Sequence, residues 1–448
     1  MQLKKRTYKV VFIGPYYTGF FINSSTLIDK GYTNIQAKML TSLKEINDQG
    51  WFIEMDNKED VLWDVEFSSM YGGTTMIPAS FLGRVVNFTD NIIVFEQFQF
   101  TIVKVLFFYH DYGVGTFRVK VEVNVDREIE VSGFRQLIEQ FSAQLGNIIN
   151  PLIEKDTLTL KSYLEKFSIP LESYEQISEE LKEKHLDHIP IRSSLWFHRV
   201  FHFYLEEKRP VTEDDYLKYK DVLYSSQMDG PKNCSLNEYA QVYPSFNFSL
   251  FLYHPETRPK DICLNRVLEI AEYYYAATSL LDTILFNEFA KFARKKEYPP
   301  KIKKLEDELK SLKNLSSQLD LFLLTLKDSI INLSPSSILM WRNIDREWYY
   351  TSMLETLKEK SNLLTTQVNE TLDELNQKRA QILNRFVKIF TLLAIIGPAL
   401  EIYVLIQDLN IINLVLSHLG IFLSISIPIV SVIIILFLYY TKKLMFDY

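Results

Sequence analysis

Residues 387–406 read VKIFTLLAIIGPALEIYVLI and residues 419–440 read LGIFLSISIPIVSVIIILFLYY. Each approaches the roughly 20 apolar residues that an α-helix needs to cross about 30 Å of hydrocarbon. The second contains no ionisable residue, and a helix apolar all round belongs in lipid or in a very large core. Two transmembrane helices are therefore expected, over 387–406 and 419–440. Lys378, Arg379, Arg385 and Lys388 lie before or at the start of the first, Lys442 and Lys443 follow the second, and Gln407 to His418 between them hold no Lys or Arg. By the positive-inside rule both termini are cytoplasmic, in a multi-pass protein of the inner (plasma) membrane whose immediate partner is the lipid bilayer.

Working back from the first span, the chain reads as helix almost continuously from Asp261, with breaks at Pro299-Pro300 and Ser334-Pro335, where proline removes a donor and disfavours helix in the residue before it. Three long helices result, the last running from about Ser336 into the membrane. Along it Leu354, Leu357, Ser361, Leu364, Val368, Thr371, Leu375, Arg379, Ile382, Phe386, Ile389 and Leu393 recur at steps of three and four, the spacing of a coiled-coil seam. Ser361, Thr371 and Arg379 suit a wide assembly with a wet centre better than a dry two-stranded core.

Farther back the periodicity changes. Lys9 to Ile13, Val85 to Phe88, Ile92 to Phe100 and Thr101 to Phe108 are β-branched and aromatic clusters of strand type. Asp111-Tyr112-Gly113-Val114-Gly115 between two such runs reads as a hairpin turn rather than a phosphate loop, and Gly72-Gly73-Thr74-Thr75 is equally weak as a phosphate loop. From Ser132 helical spacing takes over at Phe134, Leu137, Ile138, Phe141, Leu145 and Ile148, with further helices expected at 152–167, 174–185 and 193–206 and a late strand at Phe246 to Tyr253. The expected fold is an α+β (or α/β) cytosolic domain over 1–260, a helical stalk over 261–386 and a two-helix membrane domain over 387–448.

Composition narrows the function classes. Of 448 residues, 49 are Lys or Arg and 56 Asp or Glu, a balance without the basic excess that direct nucleic-acid binding requires. Two isolated cysteines, Cys234 and Cys263, fit a reducing compartment and exclude a disulfide framework. The short apolar run Val10 to Ile13 is too brief for a signal-peptide core. No hydrolase elbow, kinase signature or nucleotide-hydrolysis loop occurs, so no enzyme is expected.

Asn384-Arg385-Phe386-Val387-Lys388-Ile389-Phe390-Thr391, the following span with Pro398 midway, the short loop, the second span and the basic end at Lys442-Lys443 resemble the C-terminus of CorA-type divalent-cation transporters. The resemblance implies a CorA-like homopentamer with a central pore lined by the first span and its stalk, transporting and sensing Mg2+ or another divalent cation. The family's Gly-Met-Asn signature at the outer end of the first span is replaced by Gln407-Asp408-Leu409. This departure leaves a pore architecture in place without the family's hydrated-magnesium site. Carried onto the sequence, the pore stripe is Phe386, Ile389, Leu393, Gly397, Leu400 and Val404, with Gln407 and Asp408 at the mouth, where a carboxylate ring concentrates cations. Phe386, Ile389 and Leu393 would form an apolar gate. Two functions follow: ion transport gated by a cytosolic ligand, or, as in divergent relatives attached to type III CRISPR systems, an antiviral-defence effector opened by a nucleotide messenger. A membrane-anchored scaffold without a pore is the third reading.

Two further sets of residues stand out. Glu401 is the one acidic residue inside either span and, by the cost of exposing a carboxylate to lipid, is expected to face protein or water. His198, His202 and Glu206 fall four apart on the helix expected at 193–206, a spacing that would offer three ligands to one metal.

Overall fold

The computed structural model describes residues 2–22, 32–45, 50–52, 82–86, 92–110, 112–183, 189–223, 230–235, 238–254, 264–295 and 335–410, together with residue 256 and scattered positions between 313 and 324. The second apolar run at 419–440, Gly72 to Thr75, Cys263 and both proline breaks except Pro335 lie outside the described residues.

In chain order the elements are β1 (Gln2–Leu3), β2 (Arg6–Tyr17), β3 (Phe20–Ile22), α1 (Tyr32–Glu45), β4 (Trp51–Phe52), β5 (Leu82–Val86), β6 (Ile92–Phe95), β7 (Phe98–Tyr109), β8 (Val114–Val125) and β9 (Ile129–Glu130). Then come α2 (Val131–Lys166), β10 (Leu171–Ser173), α3 (Glu175–Glu183), β11 (His198–Tyr204), α4 (Glu213–Tyr219), β12 (Ala240–Pro244), β13 (Phe248–Tyr253), α5 (Leu264–Lys295), α6 (Pro335–Trp348) and α7 (Tyr350–Asn410). The fold is mixed α+β with a long helix after the sheet domain.

Nine strands form one sheet in the order β12-β13-β11-β2-β8-β7-β5-β4, with β6 hairpinned onto β7. All pairs are antiparallel except β11 with β13. β7 and β8 meet at the expected turn, where Gly113 takes φ of 73°. Glu96 and Gln97, both at positive φ, make the two-residue turn of the β6–β7 hairpin, which splits the single run expected from Ile92 to Phe100.

The two faces of this sheet differ in kind. One is dry and aromatic: Tyr8 and Phe12 of β2, Phe100 of β7 and Phe201 of β11 meet Phe134 and Phe141 of α2, with the Phe100 and Phe141 rings stacked at 3.9 Å. The apolar stripe of α2 continues past Pro151 through Ile153, Leu160 and Leu164, so one helix stands where sequence spacing divided it in two. The other face carries α5 and α6 over a layer of buried charged and polar groups, described below.

Helix 193–206 is a correction: His198–Tyr204 is strand β11, paired antiparallel with β2 and parallel with β13. Its run HRVFHFY is buried along nearly its whole length, and a strand covered on both faces loses the alternation that would separate it from a buried helix. The last helix differs too. Tyr349 adopts φ of 55° and divides α6 from α7, a break that no proline or glycine announces.

The chain forms two compact units, 1–284 with 320–357, and 285–319 with 358–448. These cut the chain elsewhere than the three-part division drawn from sequence, because the first turns of α5 are core: Val267, Leu268, Ala271, Ala277 and Leu281 are buried.

Close approach of β11's lead-in to β2 constrains Gly14, where a Cβ would collide with the Trp196 carbonyl and the Phe117 ring. Neither can swing away, since one is backbone and the other is a fully buried ring. Gly14→Ala is expected to destabilise the domain by about 1–3 kcal/mol, seen as a lowered thermal midpoint of the purified chain; an unchanged midpoint would mean that the two strands separate freely here.

Candidate functional site

Among the described residues α7 is the one helix long and apolar enough to cross a membrane, and no residue of its most apolar window is buried. The seam read from sequence changes character along it. Leu357, Ser361, Leu364, Val368 and Leu375 are buried, whereas Leu383, Val387, Phe390, Leu392, Ile395 and Ile396 stand exposed, Leu383 and Ile395 by about 65 and 64 %. Successive residues advance about 100° around a helix, so these apolar side chains surround α7 on all sides. A helix that exposes large apolar side chains all round requires lipid or other chains around it.

The stripe residues occupy this segment. Phe386 and Val404 are half-buried, Ile389, Leu393, Leu400 and Glu401 are exposed, and a side chain at Gly397 would meet nothing within 4 Å. Gln407 and Asp408 fall in the last turn of α7, which continues to Asn410 rather than ending at 406 as expected.

The second candidate is the buried polar layer between the sheet and α5. Arg118 of β8 is ion-paired to Glu269 of α5, and Arg266 Nη1 lies 3.3 Å from the same carboxylate. Arg118 and Arg266 also sit over the Phe108 ring, at 6.0 and 5.3 Å. One turn along α5, Glu272 accepts from Trp196 Nε1 at 2.5 Å and lies 3.5 Å from His198 Nδ1, while His198 Nε2 meets Ser249 Oγ at 2.8 Å. Beside them His110 stacks on Tyr273 at 4.0 Å. All these ionisable groups are buried.

Burial sets their protonation. Loss of hydration pushes the Glu272 carboxyl up from 4.5 to about 8, against the smaller opposing effect of the Trp196 hydrogen bond. Burial also drives His198 down from 6.5 to about 3, helped by the nearby Arg199 charge, and His110 well below its ordinary value. At neutral pH Glu272 is therefore mostly protonated and His198 neutral. Their 3.5 Å approach is then a contact between neutral groups and not an ion pair.

The metal triad does not assemble. His198 and His202 share a face of β11, as residues four apart do in a strand. But His198 is engaged with Ser249, His202 Nδ1 lies 3.4 Å from the Tyr253 hydroxyl, and Glu206 beyond the strand end pairs with Lys4 at 2.8 Å in the open. Among the described residues no group of three or more His, Cys, Asp or Glu is placed to hold a metal ion. Sequence spacing carried no sign of the polar layer: Arg118 and Glu269 are 151 positions apart, and only the unusual density of charge in the apolar start of α5 could have signalled it.

Family models, curated proteins and solved structures yield no match to the chain.

Two expectations follow from the layer. Glu269→Ala strands Arg118 in the interior and should cost about 3–5 kcal/mol, whereas the volume-matched pair Arg118→Met with Glu269→Leu should recover most of it, as equilibrium unfolding of both variants will show. Glu272 gives a pH signature. Unfolded, the carboxyl loses its proton near 4.5; folded, it keeps it to about 8. The folded state thus binds more protons across that interval and stability falls as pH rises through it. His198 has the opposite slope, because its stability contribution is lost as pH falls from 6.5 toward 3, so above 6.5 only Glu272 of this pair acts. From pH 6.5 to 8 the wild type should lose roughly 2 kcal/mol, and Glu272→Gln should not. Parallel pH profiles for the two proteins would show that Glu272 is already ionised at neutral pH.

Proposed function

We propose that the chain is an oligomeric, CorA-like membrane channel that conducts cations through a pore lined by α7 and is gated by a ligand on its cytosolic sheet domain. One observation carries the reading: α7 is continuous from a segment with a buried seam into a segment apolar on every side and uncovered by its own chain. Such a helix is stable only where lipid takes one side and neighbouring copies or water the other. In a ring of five copies, as the resemblance implies, Ile389 and Leu393 make successive apolar constrictions that close by dewetting. Glu401, about 100° around from Leu400, then sits at the margin of the lumen.

Two spans with both termini in the cytoplasm belong to the same proposal. Gln407-Asp408-Leu409 in place of the family's signature argues against magnesium selectivity, and the second reading is a pore opened by a nucleotide messenger, an effector of antiviral defence.

Purified protein in liposomes tests this. Cation flux that depends on an added nucleotide and passes magnesium and monovalent ions alike is the expected result. Flux of magnesium alone, without nucleotide, would favour the transporter. A monomer in detergent with no flux under any condition would overturn the pore and leave a membrane-anchored scaffold. Within the pore reading, Leu393→Asn hydrates the constriction and is expected to raise basal leak at least several-fold.

A further inference from the structure

Strands β2 and β11 part company beyond the pair Lys9 and His202, where their register ends. From there β11 keeps to β13, with Leu205 N donating to the Tyr253 carbonyl at 3.0 Å. A pocket of about 280 Å³ opens in the wedge, with Leu3, Arg6, Tyr8, Tyr204, Leu205 and Tyr219 among its walls. Its apolar side is fixed by two contacts: the Tyr219 ring stacks on Phe203 at 4.4 Å, and the Tyr8 hydroxyl donates to the Lys4 carbonyl at 2.9 Å. Leu3, Tyr8, Leu205 and Tyr219 are all buried. The volume falls close to the lower end of the roughly 300–1,000 Å³ typical of small-molecule sites.

Charge around this pocket does not cancel. Lys4 pairs with Glu206 at 2.8 Å, Arg209 with Asp215 at 2.7 Å and Glu207 at 3.5 Å, and Lys218 shares Asp215 at 3.4 Å. Three cations thus stand against three carboxylates. Arg6 is a fourth cation of the lining, and among the described residues no carboxylate lies within ion-pair distance of it. Glu206 feels the Arg6 charge only at longer range and more weakly than that of Lys4. The groups that do hold Arg6 are neutral. Its Nη2 donates to the Tyr204 carbonyl at 3.3 Å, its guanidinium lies 4.8 Å from the centre of the Tyr8 ring, and it donates toward the Tyr8 and Tyr219 hydroxyls. They orient the fork without neutralising it. The Tyr219 hydroxyl, accepting from Arg6, has no acceptor for its own proton among the described residues.

We propose that this pocket binds a small organic carboxylate with a flat apolar body, its carboxylate held by the Arg6 guanidinium and the Tyr219 hydroxyl. A guanidinium presents donors in a planar fork that matches a carboxylate. The surplus of one positive charge suits a monoanion, whereas a phosphate dianion would leave a negative charge unbalanced beside Glu206, Glu207 and Asp215. Tyr8, Tyr204 and Tyr219 give the body of the ligand aromatic surface to pack on. Arg6 is itself half-buried, so its attraction for an anion is screened less than on an open surface. The binding is independent of the channel reading, since it requires neither a membrane nor a second copy of the chain.

The test is a titration of the full chain in detergent with phenylacetate, its neutral amide phenylacetamide and inorganic phosphate, read by heat of binding. Phenylacetate is expected to saturate and the other two are not. Arg6→Gln should weaken phenylacetate roughly tenfold or more, as loss of a charged hydrogen bond does. Arg6→Lys, which keeps the charge without the fork, should recover only part of that. Tyr219→Phe leaves the stack on Phe203 in place and should weaken binding several-fold at an unchanged thermal midpoint, so the test stands even where Arg6→Gln fails to fold. The proposal is overturned by absence of saturable phenylacetate binding, by equal binding of the amide, by phosphate binding in place of phenylacetate, or by full affinity in Tyr219→Phe or in a folded Arg6→Gln.

Discussion

Arg118 and Glu269 are both out of water, and everything on that side of the sheet is arranged around keeping them paired. A guanidinium buried alone would be strongly destabilising, so α5 has one rotation and one height at which it can lie on the sheet. The aromatic face under α2 tolerates small repacking, as apolar cores do. The charged face does not. Trp196, His198 and Ser249 extend the same condition to the next turn of α5, where a protonated Glu272 meets them without a net charge.

This division has a counterpart in the neighbouring helices. Trp348, the last residue of α6, donates from Nε1 to the Ser245 carbonyl at 3.1 Å and packs beside His198 and Tyr275. Tyr349 then turns the backbone at positive φ. The start of α7 is thus tied to the same layer that seats α5. The two helices that continue out of the first unit, α5 and α7, both start from one set of buried groups.

How far the sequence could be read depended on how local the determining contacts were. The β7–β8 hairpin rests on Gly113 and on strand runs directly beside it, and the stripe of α2 lies within one helix, so both were legible. β11 was not, because a residue pair four apart falls on one face of a helix and equally on one face of a strand. His198 and His202 therefore looked like helical metal ligands, and burial on both sides removed the only signal that could decide. The bend at Tyr349 needs no proline or glycine when packing imposes it. Lys104 of β7 stands opposite Lys120 of β8 only because of a bulge after Ile102, and register across two strands is invisible until pairing is known. The apolar segment of α7 announced itself by composition alone, although the helix end at Asn410 passed the boundary drawn at 406.

The position of β2 has a consequence for how the protein is made. It lies between β8 and β11, with β13 beyond, so the earliest long strand to be synthesised is completed on one side by the hairpin that follows and on the other only by strands near the end of the domain. Until β11 and β13 emerge from the ribosome, one edge of β2 remains unpaired, an adhesive row of backbone donors and acceptors. Such non-local closure is slow, and α7 follows it about a hundred residues later in the chain. Biogenesis must therefore keep an unfinished sheet from aggregating while an exposed apolar helix follows it out of the ribosome, and strong dependence on chaperones during synthesis is the expected behaviour.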